Sequence, residues 1–165
     1  MNIERKLEAV ELVALEAQLL DEQDWDKWLA LYQEDAQFWV PTWLSETKLT
    51  SDPARELSFM FLDGRKLLAE RVHRVTSGRS VASIPVPRTT HLVAGCVVSA
   101  GPGDSVTVKS AWSCHVYPPK EAVLVTYAGR YEHELAWTPE GLRIARKKII
   151  LTNDQLQSKV DFFYL

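Results

Sequence analysis

With 165 residues, the chain has the length of one domain able to bury most of the surface its unfolded form exposes. Its 19 basic and 22 acidic residues leave a net charge of −3, and no block of one sign marks a nucleic-acid track or a patch for an anionic membrane. The N-terminus enters an acidic amphipathic segment without an apolar signal core, and no apolar run is long enough for a bilayer. The expectation is therefore a cytoplasmic protein whose partners are proteins or small molecules, not nucleic acid or membrane.

From Ile3 to Leu20 the apolar residues Ile3, Leu7, Val10, Ala14, Ala17 and Leu20 recur at helical spacing, which predicts a first helix of about five turns with these side chains on one face. Asp24 is placed to cap a short second helix carrying Trp25, Trp28, Leu29 and Tyr32 and ending near Glu34 and Asp35. Ala36 to Val40 alternates as a short strand up to Pro41, which cannot donate to a ladder and suits a strand end or an edge. Residues 42–54 read as a loop of about a dozen residues, long enough to suggest an interface or a functional role. Leu57 to Leu62 predicts a strand, and Asp63 a cap for a third helix that runs to about Val75 and is released at Gly78. After Pro87, segments near 89–100, 105–118, 121–137 and 141–153 are rich in Val, Thr, Ile, Tyr and Trp and are divided by Gly/Pro turn clusters, which predicts four long antiparallel strands. Cys96 and Cys114 lie within apolar runs, lack zinc-type spacing, and read as buried free thiols.

Helices first and a long meander afterwards predict an α+β fold: a curved antiparallel sheet with N-terminal helices covering one face, forming one domain over 1–165. The onset Asp24, Trp28, Leu31, Tyr32, Asp35 and Ala36 resembles that of the cone-shaped fold shared by nuclear transport factor 2 and ketosteroid isomerase, which bears on fold more than on activity.

A more specific resemblance rests on two segments. One runs from Leu20 to Tyr32 through Asp24, Trp25 and Trp28; the other, Arg74 to Val93, holds Arg74, Arg79, Pro85, Pro87, Arg88 and His91. With the aromatic tail Phe162-Phe163-Tyr164, these are similar to the small (beta) subunits of aromatic-ring-hydroxylating dioxygenases. Trp39-Val40-Pro41, the Thr50 to Pro53 loop and Glu56-Leu57-Ser58 resemble the benzoate, anthranilate and halobenzoate branch. The resemblance implies a noncatalytic subunit without its own cofactor. It would join an iron-bearing alpha subunit, as a beta trimer within α3β3, with the Rieske [2Fe–2S] cluster and the mononuclear nonheme iron held by that partner.

The residues themselves agree that redox iron is not expected here. A Rieske centre requires Cys and His ligands paired on two loops, and a mononuclear iron requires two His and a carboxylate; His73, His91, His115 and His133 are spaced in neither pattern. The alternative use of a cone is metal-free acid–base chemistry or ligand binding, for which His91 and Asp35 are the candidates. Against this, His91 reads as a histidine bonded to a neighbouring chain or a backbone carbonyl, and Asp35 as a helix terminator. Arg74, Arg79 and Arg88 suit a carboxylate substrate or, more readily, a subunit interface, along which Pro85 and Pro87 would hold the chain extended. Among the tryptophans Trp43 is the interface candidate. Phe162, Phe163 and Tyr164 must be covered either by the chain's own core or by a second subunit.

Overall fold

The computed structural model describes residues 1–78, 85–153 and 160–165. Helix α1 (Ile3–Glu22) starts at Asn2, whose side chain accepts from the Arg5 amide at 2.9 Å, and closes at Gln23 in the left-handed conformation. Its buried face consists of Ala9, Leu12, Val13, Glu16, Ala17, Leu19 and Leu20, rotated from the expected stripe, since Ile3 and Leu7 stand 77% and 57% exposed. Apolar periodicity missed the true face because a carboxylate, Glu16, lies at its centre, and a charge counts against burial until its partner is known.

Asp24 caps α2 (Trp25–Ala30) as expected, accepting from the Lys27 amide at 3.4 Å. The helix stops earlier than predicted. The Leu31 carbonyl accepts from the Ile144 amide at 2.8 Å, so sheet pairing takes the chain over and Tyr32 opens strand β1 (Tyr32–Pro41). Asp35 is therefore an exposed strand residue rather than a helix terminator, and it does not face the interior. Strand β2 (Ser58–Asp63) follows the 42–57 loop, and a register shift at Val40 and Pro41 absorbs the amide that proline lacks. Asp63 does not cap α3 (Arg65–Thr76): it stays in β2, where its carboxylate accepts from Gln37 Nε2 at 3.2 Å. The cap is Gly64, at φ 97°, a conformation that favours glycine, and its amide donates to the Ala36 carbonyl at 2.9 Å.

The four predicted long strands are present as β3 (Arg88–Ala100), β4 (Val106–Tyr117), β5 (Val125–Thr138) and β6 (Gly141–Leu151). The sheet order is β2-β1-β6-β5-β4-β3, an α+β fold with N-terminal helices against a curved sheet. One joint departs from the antiparallel expectation, because β1 runs parallel to β6. That pairing brings together segments separated by most of the chain, and no local pattern marks it. Curvature arises at irregularities in the ladders, between Ala94 and Val97 in β3, where Gly95 takes φ 65°, and beside Glu134 and Leu135 in β5. At Gly129 the backbones of β5 and β6 approach so closely that a Cβ would overlap the Ile150 carbonyl.

Strand β4 turns Val106, Val108, Ser110, Trp112, Cys114 and Val116 inward with a period of two. With Tyr127, Tyr131 and Leu135 of β5 and Ile144 and Ile149 of β6 they form the inner face under α1. Cys114 is buried as predicted, whereas Cys96 is half-buried. The tail turns back in a 3-10 turn (Phe162–Tyr164) whose Phe162 ring meets Trp25 edge-on at 5.5 Å and Trp28 at 5.1 Å. Phe162 and Phe163 are 0% and 1% exposed, so the chain's own core covers them and they offer a second subunit no surface. Tyr164 is half-buried and stacks on Tyr127.

Candidate functional site

Two carboxylates of α1 reach the inner face of the sheet and organise its polar groups. Glu16 is fully buried; its Oε1 accepts from Trp28 Nε1 at 2.8 Å, Tyr32 OH at 2.8 Å and Lys147 Nζ at 2.9 Å, and its Oε2 from Lys147 Nζ at 2.8 Å. Lys147 enters from β6, opposite His133, donates also to the Leu165 carbonyl at 2.9 Å, and lies 4.4 Å over the Tyr131 ring. Burial alone would raise the Glu16 carboxyl, but the Lys147 ammonium and the converging donors outweigh it and hold Glu16 below the usual carboxylate range. Burial, reinforced by Glu16, lifts the Tyr32 phenol well above its ordinary value, so it remains a donor. His133 is pushed down to about 3, by burial first and by Lys147 next, and is neutral at physiological pH.

The second carboxylate, Asp21, ties the end of α1 to the head of β3. Its Oδ1 accepts from Thr89 Oγ1 at 2.8 Å and lies 2.6 Å from His91 Nδ1, while Oδ2 accepts from the His91 amide at 2.8 Å. Burial pushes Asp21 up, but the bonds from His91 and Thr89 prevail and keep it low. His91 thus has a partner in its own chain, where the sequence suggested a neighbouring chain or a backbone carbonyl. Beside it Cys114 Sγ stands 3.9 Å from Nδ1, and burial, with Asp21, pushes that thiol up to about 12. A thiol so high is not a nucleophile at neutral pH. An Asp–His pair with its second ring nitrogen directed inward has the layout of a general base.

The sequence-derived candidates do not converge. His91 joins the inner face; Asp35 faces outward. Arg74 is exposed on α3, and Arg88 is exposed at the start of β3, its guanidinium 6.0 Å over the Tyr117 ring. Pro85 is exposed and Pro87 buried, while Arg79 lies outside the described residues. Trp43 is half-buried: its Nε1 donates to the Leu151 carbonyl at 2.7 Å and pins the 42–57 loop to β6. A groove of about 500 Å3 runs there along Trp43, Leu44, Ser45, Glu46 and Thr152. Of the other histidines, His73 is exposed on α3 and His115 Nδ1 lies 2.9 Å from Thr126 Oγ1. Among the described residues no group of three His, Cys, Asp or Glu side chains is placed to hold a metal ion.

Sequence reasoning missed Glu16, Asp21 and Lys147, and weighed His133 only as a metal ligand. Lys147 sits in the run Arg146-Lys147-Lys148, and the irregularity in the β5–β6 ladder resets the alternation that would otherwise assign its side. Asp21 carried a faint signal as a carboxylate at the predicted end of the first helix, but its partner His91 lies 70 residues further along the sequence, beyond the third helix.

The family model for the ring hydroxylating beta subunit matches residues 15–158. The small subunit of 2-halobenzoate 1,2-dioxygenase from Burkholderia cepacia is 33% identical over 159 residues, covering 96% of this chain and 95% of that one. The beta subunit of benzoate 1,2-dioxygenase from Acinetobacter baylyi is 31% identical over 150 residues, 91% of this chain and 88% of its own. Among solved structures, the beta subunit of the benzoate 1,2-dioxygenase from Burkholderia mallei superposes with a TM-score of 0.77 at 29% identity, covering 95% of each chain. With matches that run from α1 to the tail, the chain belongs to the ring hydroxylating beta subunit family.

Proposed function

We propose that this protein is the noncatalytic beta subunit of a cytoplasmic ring-hydroxylating dioxygenase acting on benzoate-like aromatic compounds. Its partner is the alpha subunit, which would carry the Rieske [2Fe–2S] cluster and the mononuclear nonheme iron, in an α3β3 assembly built on a beta trimer. The observation that carries this reading is the family match, which spans nearly all of the elements described above. The interior supports it: the carboxylates there are engaged by Lys147 and His91, an arrangement that braces a scaffold. Surface candidates for subunit contacts are Arg74, Pro85, Arg88 and the Trp43 loop, with Arg79 a candidate from sequence.

Coexpression with the large-subunit gene, followed by size-exclusion chromatography and iron analysis, tests the reading. The expected result is one heteromeric species in which the iron follows the large subunit. A chain that never enters the larger species, or that retains stoichiometric iron by itself, overturns it.

The Asp21–His91 pair favours one second reading, a freestanding cone-fold isomerase or dehydratase with His91 as base. Turnover by the chain alone, abolished in His91→Ala, would establish that reading, and absence of turnover across ring and polyketide-like substrates removes it.

A further inference from the structure

The inner face of β3, β4 and β5 gathers polar atoms for which the chain supplies no partner among the described residues: Ser110 Oγ, Trp112 Nε1, Tyr131 OH, both ring nitrogens of His133, and His91 Nε2. They form a contiguous tract. Ser110 lies directly across from Tyr131 in the β4–β5 ladder, the Trp112 and Tyr131 rings stack at 4.9 Å, and Tyr131 meets His133 edge-on at 5.3 Å. All five residues are buried. A buried polar atom left unpaired costs free energy, and native interiors leave few of them, so a tract of this size on one face points to an occupant that completes the bonding.

The chemistry of the tract restricts that occupant. The buried ion pair beside it is already matched, Glu16 with Lys147, and the Asp21 carboxylate is engaged by Thr89, the His91 amide and the His91 ring, so a charged molecule would bring in an uncompensated buried charge. Trp112 Nε1 can only donate, which calls for an acceptor. Neutral His133 presents one donor and one acceptor, and His91 Nε2 accepts when Nδ1 donates to Asp21, which calls for a donor. A hydroxyl group both donates and accepts, so hydroxyls on the occupant suit a tract that presents demands of both kinds. The stacked rings of Trp112 and Tyr131 form an aromatic wall beside these atoms, which favours a flat apolar body.

We propose that the inner face of the cone is a binding site for a small, neutral, hydroxylated aromatic molecule, held by Ser110, Trp112, Tyr131, His133 and His91. The five residues are buried in the interior, whereas the described candidates for subunit contact named above are at the surface, and the test below uses the chain without an alpha subunit.

The test titrates the full chain with phenol, and with toluene as a molecule of similar shape lacking the hydroxyl, following tryptophan fluorescence and melting temperature. Phenol is expected to saturate and to raise the melting temperature, with toluene binding about tenfold more weakly, the effect of one good hydrogen bond. Tyr131→Phe and Ser110→Ala should each weaken phenol by about tenfold while leaving the unliganded melting temperature unchanged or higher, because each removes an unpaired buried hydroxyl. Equal affinity for toluene and phenol overturns the proposal, as does unchanged phenol affinity in both variants or a lowered unliganded melting temperature in both. A crystal of the wild-type chain soaked in phenol gives a reading that does not depend on the variants. Phenol oxygen within bonding distance of Tyr131 or His133 supports the site, and water alone on those atoms overturns it.

Discussion

Replacing Lys147 by Met keeps the apolar bulk of the side chain and deletes its charge, and so isolates the ion pair at the centre of the fold. Glu16 would keep Trp28 and Tyr32 as donors but lose the two bonds from Nζ, at 2.9 and 2.8 Å, and the Leu165 carbonyl would lose a donor at 2.9 Å. Removing one partner of a buried pair costs about 3–5 kcal/mol, and the orphaned carbonyl adds about 1 kcal/mol. Against a total stability of about 5–15 kcal/mol this is a large loss. The double variant Glu16→Gln, Lys147→Met removes both charges and should recover about 2 kcal/mol of it, since much of the single-variant cost is a stranded carboxylate. The sign with pH follows from linkage. In the wild type Glu16 sits below its ordinary 4.5, so its contribution is present above that pH and is lost as pH falls through the folded value. Without Lys147, burial lifts Glu16 instead; the folded variant then holds a proton that the unfolded chain releases, and its deficit shrinks as pH falls from about 7 to about 5. Urea unfolding followed by tryptophan fluorescence at both pH values measures this. A single-variant loss below about 1 kcal/mol, or a double variant no better than the sum of its singles, would refute the reasoning.

Three further outcomes can be checked by similar means. Gly129→Ala forces a methyl group into the Ile150 carbonyl and should cost about 3 kcal/mol in thermal or urea melts; wild-type stability would mean that β5 and β6 lie further apart. His133, held down to about 3 against an ordinary 6.5, is protonated in the unfolded chain first, so stability present above pH 6.5 declines as pH falls from there toward 3. The slope approaches about 1.4 kcal/mol per pH unit, His133→Gln should remove it, and an NMR titration showing His133 charged in the folded chain at pH 6 would contradict it. Asp21→Asn weakens the anchor of β3 on α1, where the carboxylate now accepts from Thr89 and His91, and should cost about 2 kcal/mol with faster amide exchange at the head of β3; unchanged exchange there would show that the anchor lies elsewhere.

Much of the architecture was legible because it rests on local periodicity. Strand β4 alternates without interruption, the Gly/Pro clusters divide the meander where the turns fall, and Asp24 caps α2 as its side chain dictates. What escaped was decided at long range. Helix α2 ends at Ala30 because Ile144, far along the chain, bonds the Leu31 carbonyl. The face of α1 was misjudged because Glu16 is neutralised by Lys147 from the opposite end of the sequence. In the site, His91 was visible as a histidine in a strand, but its role depends on Asp21, and only the folded backbone sets those two 2.6 Å apart. The aromatic tail was legible as something that must be covered; that Trp25 and Trp28 cover it follows from the packing of α2.

The pairing of interior charges also limits where a partner can act on this protein. An incoming subunit that had to reach Glu16, Lys147 or Phe162 would have to lift α1 or the tail from the sheet, breaking the buried ion pair and exposing aromatic core. That cost exceeds what an ordinary interface recovers after it has ordered its own side chains. Association is therefore expected on surface that the fold already presents, and the Trp43 and Leu44 loop, the arginines of α3 and β3, and the apolar residues Ile3 and Leu7 that α1 leaves uncovered are exposed or half-buried candidates for it. Such an interface is preorganised, since the ladders and the Glu16–Lys147 bond fix its elements before any encounter, and little entropy remains to be lost on docking. On this argument substitutions at the loop or at Arg88 should weaken assembly without changing the melting temperature of the free chain, whereas Lys147→Met should lower that melting temperature first and assembly only as a consequence. Native mass spectrometry of both variants with the large subunit separates the two, and a Lys147→Met chain that remains fully folded yet fails to assemble would show that the interior is part of the interface after all.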